Sequence, residues 1–416
     1  MGAWELRKLT ELAEYINGYA FAPEDWGSEG LPIIRIEQLK NPNAPSDYFA
    51  GKLPEKNIID DGDLIFSWSA SLFLRIWKSG KAALNQHLFK VVEKPEVDRA
   101  FLKSFIEFYL PELTKASHGS TMQHITRKEL DKFAASFPID KAEQESIAAV
   151  IAALDRAIEQ TEAHIAKQQR IKTGLMQDLL TKGIDKHGNI RSEATHTFKD
   201  SPLGRIPMEW EVESLSMQTE QITKGESPTW QGFKYQQEGV LFITSENVRD
   251  GYLDISKGEK FIQPEFNKKL FRSALKKGDV LINLVGASIA RTAIFDLELE
   301  ANINQAVCSI RPKEQVSPEW LCSYLQLPVN IGRLLGEQVE TARANLSLGD
   351  IRGFTAAFPS TEEQKRIATL LLKQREHVLL VERHLDKLNL LKAALMHDLL
   401  TGERRVTPLL TQAAPQ

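Results

Sequence analysis

Two groups of polar residues in this chain carry the chemistry needed to read the edge of another flat, hydrogen-bonding molecule. In the first half they are Ser67, Trp68, Ser69 and Arg75, with Gln123, His124 and Arg127 further on. In the second half they are Asn283, Ser288 and Arg291, followed by Thr341, Arg343 and Asn345. Arg, Asn and Gln present paired donors and acceptors, which on exposed loops match the edges of base pairs. Taken singly, each residue could equally be a solvated or locally hydrogen-bonded loop side chain. Other chemistries lack their residues. There is no Gly-x-x-x-x-Gly-Lys-Ser/Thr phosphate loop and no His-Glu-x-x-His pair. Asn41-Pro42-Asn43-Ala44 lacks the Pro-Pro-aromatic continuation of an adenine methylase motif. Cys308 and Cys322, without clustered histidines, make neither a zinc site nor a disulfide framework, and fit a reducing cytosol.

The elements that must position these residues occur twice. Trp4-Glu5-Leu6-Arg7-Lys8-Leu9 is matched by Trp210-Glu211-Val212-Glu213-Ser214-Leu215, and Asn17-Gly18 by Lys224-Gly225. The runs Pro32 to Leu39 and Leu241 to Val248 both read as strands. Gly62-Asp63-Leu64-Ile65-Phe66 and Gly278-Asp279-Val280-Leu281-Ile282 are turns into strands, and the first candidate loops follow them. Asn85-Gln86 and Asn304-Gln305 come next; being shared, they cannot explain different specificities and read as structural turns or phosphate contacts. Helical segments Ala100 to Leu110 and Pro318 to Leu327 precede the second candidate loops, Ser117 to Arg127 and Glu340 to Asn345. Each module reads as a mixed α/β domain with a small mixed sheet.

Each module then runs into a long helix, Asp140 to Thr181 and Ser360 to Thr401, superposable at an offset of 220 residues. Asp140 with Glu143 and Ser360 with Glu363 fit capping boxes. Apolar positions alternate by four and three: Ile147, Ile151, Leu154, Ile158, Ile165, Leu175 and Leu179, then Ile367, Leu371, Val378, Val381, Leu385, Leu388, Leu395 and Leu399. That is a heptad seam, interrupted in both copies by Lys172 and Lys392, which set register or snorkel to solvent. His164 and His384 fall on exposed helix positions. Equal helices on equal modules are expected to pair antiparallel about a pseudo-two-fold axis. The expected architecture is α+β. It has a first recognition domain at 1–139, helix 140–182 and a Gly/Pro-rich linker at 183–209. A second domain at 210–359, helix 360–402 and a frayed tail at 403–416 complete it.

The chain has 416 residues, 42% apolar and 26% charged, with net charge -4 and pI about 6.2. The acidic balance argues against blanket electrostatic grip on nucleic acid, so local patches or a partner must supply phosphate contacts. Met1 to Thr10 is charged and lacks the apolar core of a signal peptide, and no run is long enough to span a membrane. Two similar, non-identical modules inverted about a rigid rod suit a bipartite, asymmetric duplex target with an unread spacer.

The ordered, twice-repeated motifs resemble the specificity subunit of type I restriction–modification systems. They are the Gly-Asp strands, the Asn-Gln pairs and the Phe-Pro…Glu-Gln-x-x-Ile-Ala helix starts. The lead-in Ser201-Pro202-Leu203-Gly204-Arg205-Ile206-Pro207-x-x-Trp210 adds to them, although none precedes Trp4. The resemblance implies a cytoplasmic, non-catalytic subunit that binds double-stranded DNA. It also implies recruitment of two adenine-modifying methyltransferase subunits and, in full systems, two restriction subunits. S-adenosylmethionine, ATP and Mg would then sit on those partners, with no cofactor or metal on this chain. Glu159, Lys167, Gln168 and Gln169 on the outward helix face are a dock for them under this reading. The competing expectation is a coiled-coil scaffold that bridges two protein partners and binds no DNA.

Overall fold

The computed structural model describes residues 3–116, 124–256, 258–336 and 345–406. They form two compact units, one of residues 1–163 with 382–416 and the other of residues 164–381. Each unit therefore takes part of both long helices.

In the first unit the strands Ala13–Asn17, Leu88–Glu93, Leu64–Ser67 and Phe73–Ile76 form an antiparallel sheet in that order. A second sheet orders Tyr48–Phe49, Leu31–Ile34, Ala82–Leu84 and Ile58–Ile59, with Ile33 and Ala83 paired in parallel. The second unit repeats the plan. Thr219–Lys224, Val307–Pro312, Asp279–Asn283 and Thr292–Phe295 make its antiparallel sheet. Phe261–Ile262, Val240–Ile243 and Ala301–Ile303 make its mixed sheet. A ribbon closes each module, Trp4–Lys8 on Ala134–Pro138 and Glu211–Ser214 on Thr355–Phe358.

The expected strands at Pro32 to Leu39 and Leu241 to Val248 are shorter than their apolar runs. Leu31–Ile34 gives way to a helical turn at Ile36–Lys40, and Val240–Ile243 to a turn that Asn247 Oδ1 caps by accepting from Thr244 N at 2.8 Å. The helix Arg99–Ala116 supplies Phe101, Phe105 and Ile106 to the first core. Its counterpart is split into Pro318–Leu325 and Pro328–Leu335, with Pro328 at the first position of the second helix, where its missing N–H costs no bond.

The long helices are Lys141–Thr181 and Thr361–Leu400. In each unit they pair antiparallel, as the heptads require. In the first unit Lys392 Nζ lies 2.5 Å from Asp155 Oδ1, and Ile147 and Ile151 share a core with Leu395, Leu399 and Leu400. In the second, Gln374 Nε2 donates to Gln168 Oε1 at 3.0 Å, and Ile367 and Leu371 share a core with Leu175 and Leu179. Leu154, Ile158, Ile165, Val381, Leu385 and Leu388 are half-buried and Val378 is buried, so the seam is covered along its length. Gln168 belongs to this seam, not to the outward face; Glu159, Lys167 and Gln169 are exposed, as are His164 and His384.

Three expectations change. Asp140 Oδ1 does accept from Ala142 N, and Ser360 Oγ from Glu363 N, but neither Glu143 nor Glu363 reaches back to complete a capping box. Both carboxylates are buried in an Arg–Trp clasp instead. Glu143 accepts from Arg405 Nε at 2.5 Å, from Arg405 Nη2 at 2.7 Å and from Trp4 Nε1 at 3.4 Å. Glu363 accepts from Arg191 Nη1 at 2.5 Å, Ile184 N at 2.9 Å and Trp210 Nε1 at 3.4 Å. The segment 183–209 is consequently no loose linker: it carries Arg191 and a hairpin, Phe198–Ser201 on Gly204–Pro207. The tail is built in as far as Arg405 and Val406, which lies in the first core. In each unit the clasp arginine comes from the segment after the other module's helix, so chain elements remote in sequence close each core.

Candidate nucleic-acid interface

Strand direction decides which loops share an edge. In the first module Asn17 pairs with Phe89 and Ser67 with Leu88. Both strands that flank Leu88–Glu93 therefore end beside its start. The chain leaves that edge as loops 18–30 and 68–72 and enters it through the turn 85–87. A bridge between Ser69 and His124 brings a fourth segment to it. The second module does the same. Lys224 pairs with Cys308 and Asn283 with Val307, so loops 225–239 and 284–291 and the turn 304–306 meet, joined by the bridge from Val285 to Asn345.

The shared residues hold this edge in shape. Asn85 Oδ1 accepts from His87 N at 3.2 Å and Asn304 Oδ1 from Ala306 N at 3.1 Å, so each Asn closes its own turn. Thr126 with Glu129, and Ser347 with Asp350, cap the helical turns behind His124 and Asn345. Asp63 meets Lys90 at 2.7 Å, and Asp279 meets Arg311 at 2.7 Å, under the strands that lead to the loops.

The candidate readers separate into three kinds. Ser67 and Asn283 are fully buried strand ends. The Ser67 hydroxyl donates to Ser71 O at 2.6 Å, and Asn283 Nδ2 donates to Ser245 O and Ser288 Oγ, both at 3.0 Å. Both shape their loops and present no edge to a ligand. Arg75 is spent likewise, donating to Leu39 O at 2.6 Å, and Ser69 is buried. Trp68, His124, Arg127, Ser288, Arg291 and Asn345 stand at or near the surface of the edge. Arg127 lies 5.9 Å over the Phe89 ring, and Arg291 Nε is 3.5 Å from Asp250 Oδ1. Gln123, Thr341 and Arg343 lie outside the described residues.

The two edges are built differently at matching positions, although Phe89, Leu284, Ala306 and Cys308 among them are buried beneath the loops. Trp68, His87, Phe89 and His124 form an aromatic cluster, with Trp68 stacked on Phe89 at 5.5 Å and 5.9 Å from His124. Leu284, Ala306, Cys308 and Asn345 occupy those places in the second module. Buried polar atoms without partners gather here too: Trp68 Nε1, His124 Nδ1, Asn283 Oδ1 and Gln305 Oε1. Others lie elsewhere among the described residues, at Tyr15, Arg35, Arg191, Trp320 and Arg366, so they do not by themselves mark the edge. Loops 18–30 and 225–239 escaped the sequence reading, because their place beside the others depends on strand pairing rather than on motif.

Burial pushes the Cys308 thiol up to about 12 and the Cys322 thiol up to about 11, so neither is a thiolate at neutral pH. Among the described residues no group of three His, Cys, Asp or Glu is placed to hold a metal ion. Among them also, no helix is long and apolar enough to cross a membrane.

Comparison with known proteins bears on the family and the two-module fold. The family model described as the type I restriction modification DNA specificity domain matches residues 1–168 and 220–389. The chain is 27% identical over 376 residues to the type I restriction enzyme EcoBI specificity subunit of Escherichia coli, covering 88% of this chain and 78% of that one. It is 24% identical over 417 residues to the MjaVIII specificity subunit of Methanocaldococcus jannaschii, covering 98% and 94%. Its fold matches the S subunit of a type I system from M. genitalium at TM-score 0.57 and 14% identity, covering 96% of each chain. It also matches a chain from a study of type I R-M complex assembly and conformational transition, at TM-score 0.60 and 18% identity, covering 97% and 98%.

Proposed function

The chain belongs to the family of type I restriction–modification DNA specificity subunits, and from that footing we propose how it selects DNA. Each module lays its loop edge against one half of a bipartite, asymmetric duplex target. The observation that carries this is that one shared strand frame ends in unlike loop residues, Trp68, His87 and His124 in the first module against Ser288, Arg291 and Asn345 in the second. A frame shared by both modules with unlike edges is what two different half-sites require. A scaffold that bound proteins alone would leave that divergence without a cause.

The readers we propose are Trp68, His124 and Arg127, with Gln123, for one half, and Ser288, Arg291 and Asn345, with Thr341 and Arg343, for the other. Ser67, Ser69, Arg75 and Asn283 position the loops. Residues 1–139 and 210–359 act as the two recognition domains, and the seam of the paired helices sets the unread spacer. The chain recruits two methyltransferase subunits that act on adenine, and two restriction subunits where the system has them. S-adenosylmethionine, ATP and Mg belong to those partners, in the cytoplasm where the chromosome lies. Methylome sequencing of cells that express this chain with its modification subunit tests the proposal. A single two-part adenine-methylated motif with unlike halves is expected; unpatterned or absent methylation overturns it.

A further inference from the structure

Trp26 and Trp230 are left in water, 48% and 76% exposed, whereas Trp77, Trp210 and Trp320 are buried. A tryptophan so exposed is unusual in a protein surface. The two sit in corresponding loops. Each lies in the loop that leaves the outer strand of its module's antiparallel sheet, residues 18–30 and 225–239. Each loop starts on a glycine pressed against the neighbouring turn, where a Cβ on Gly18 would meet Asn85 O at 2.2 Å and one on Gly225 would meet Ile303 O at 1.6 Å. Each ends on a glycine of positive φ, Gly30 at 108° and Gly239 at 133°. Between them each loop makes one 3-10 turn, Pro23–Asp25 just before Trp26 or Thr229–Gln231 with Trp230 at its centre.

A cation attends each turn. The Arg35 guanidinium lies 4.7 Å over the Trp26 ring and is held by Asp47 at 2.8 Å. By Trp230 the cations stand on the turn and not over the ring: Lys269 Nζ donates to Gln231 Oε1 at 2.7 Å and lies 5.7 Å over Phe233, Arg272 pairs with Glu226, and Phe271 is 79% exposed. Aromatic faces beside fixed cations are the surface on which nucleic acids stack without regard to sequence.

We propose that Trp26 and Trp230 are a matched pair of sequence-independent DNA contacts, one beside each module's reading loops. The inference rests on the reading of those loops given above. Residues that tell unlike half-sites apart must differ between modules, as His124 and Asn345 do. The exposed tryptophans are the same in both, so they touch what both half-sites share, the sugar–phosphate backbone and the faces of the bases. A protein docking on both modules alike would also meet the pair. The edge they leave from, shared with the divergent loops, favours DNA.

The test uses the full chain assembled with its modification subunits. Trp26→Ala, Trp230→Ala and Trp230→Phe are titrated at one fixed salt concentration with two labelled duplexes. One carries the methylated motif and the other has both halves scrambled. Each alanine variant is expected to bind both duplexes about tenfold more weakly. Trp230→Phe keeps most of the affinity, and the methylated sequence stays the same. Unchanged affinity on both duplexes overturns the proposal. So does a loss confined to the motif duplex, which would make the tryptophans sequence readers. Loss of the modification subunits on gel filtration overturns it too, by placing the pair at a protein interface. A wild-type complex that prefers neither duplex sinks the reading of the loops, while the scrambled duplex still decides the tryptophans.

Discussion

Side chains at the loop edges divide into those that face outward and those spent on their own loop, and substitution separates the two. Arg291 is held by Asp250 with its side chain 38% exposed. Arg291→Ala is expected to relax the choice of base at one position of the half-site read by the second module, by about 1–3 kcal/mol of discrimination. The other half-site keeps its sequence, which methylome sequencing of the variant reads directly. Asn283→Ala removes a buried side chain bonded to Ser245 O and Ser288 Oγ. It is expected to cost about 1 kcal/mol per bond in stability, seen in urea unfolding. A change confined to the base preference, with stability intact, would return Asn283 to the readers. The sequence pointed to both residues because both follow the repeated Gly-Asp strand. It could not separate them. A polar residue at the last position of a strand has the same neighbours in the chain as the first residue of a loop, and only the pairing of Asn283 with Val307 puts it inside. The exposed tryptophans were illegible for the same reason: strands distant in the chain bring their loops to the edge.

The long helices were legible almost to the residue, since a heptad pattern needs only local periodicity and a capping residue. Their cap glutamates were misread because a buried ion pair competes with a capping box for the same carboxylate, and the arginine lies far along the chain. Arg191 and Glu363 are 8% and 5% exposed, and Arg405 is 28% exposed against a fully buried Glu143. Arg191→Ala strands a buried carboxylate and is expected to destabilise the second unit by about 3–5 kcal/mol. Arg405→Ala is expected to cost less, because water reaches that pair. Replacing both members, Arg191→Leu with Glu363→Met, should recover much of the loss, since apolar packing substitutes well for a desolvated pair. Urea unfolding of the chain measures all three. A double variant as unstable as Arg191→Ala alone would show that packing of the segment 183–209, and not the charge pair, is what the clasp provides. Glycine, proline and charge in that segment looked like linker; its folded state follows from what Arg191 and the hairpin are tied to.

At the scale of the whole molecule the offset of 220 residues revealed two equal modules with equal helices. The sharing of each core between both helices did not show, because it lies in antiparallel pairing across that offset. The seam Ile147 to Leu179 answers Ile367 to Leu399, and at about 1.5 Å per residue it spans roughly 50 Å. If the seam sets the distance between two reading edges, its length sets the number of unread base pairs. Inserting one heptad at equivalent points of both helices adds about 10 Å. At about 3.4 Å per pair this is expected to lengthen the spacer by roughly three base pairs while both half-sites keep their sequence. Insertion in one helix alone slips the antiparallel register past Asp155–Lys392 and Gln168–Gln374 and is expected to abolish methylation altogether. Methylome sequencing of the two insertion variants distinguishes the cases. A spacer unchanged by the paired insertion would show that contacts outside the seam fix the distance between half-sites.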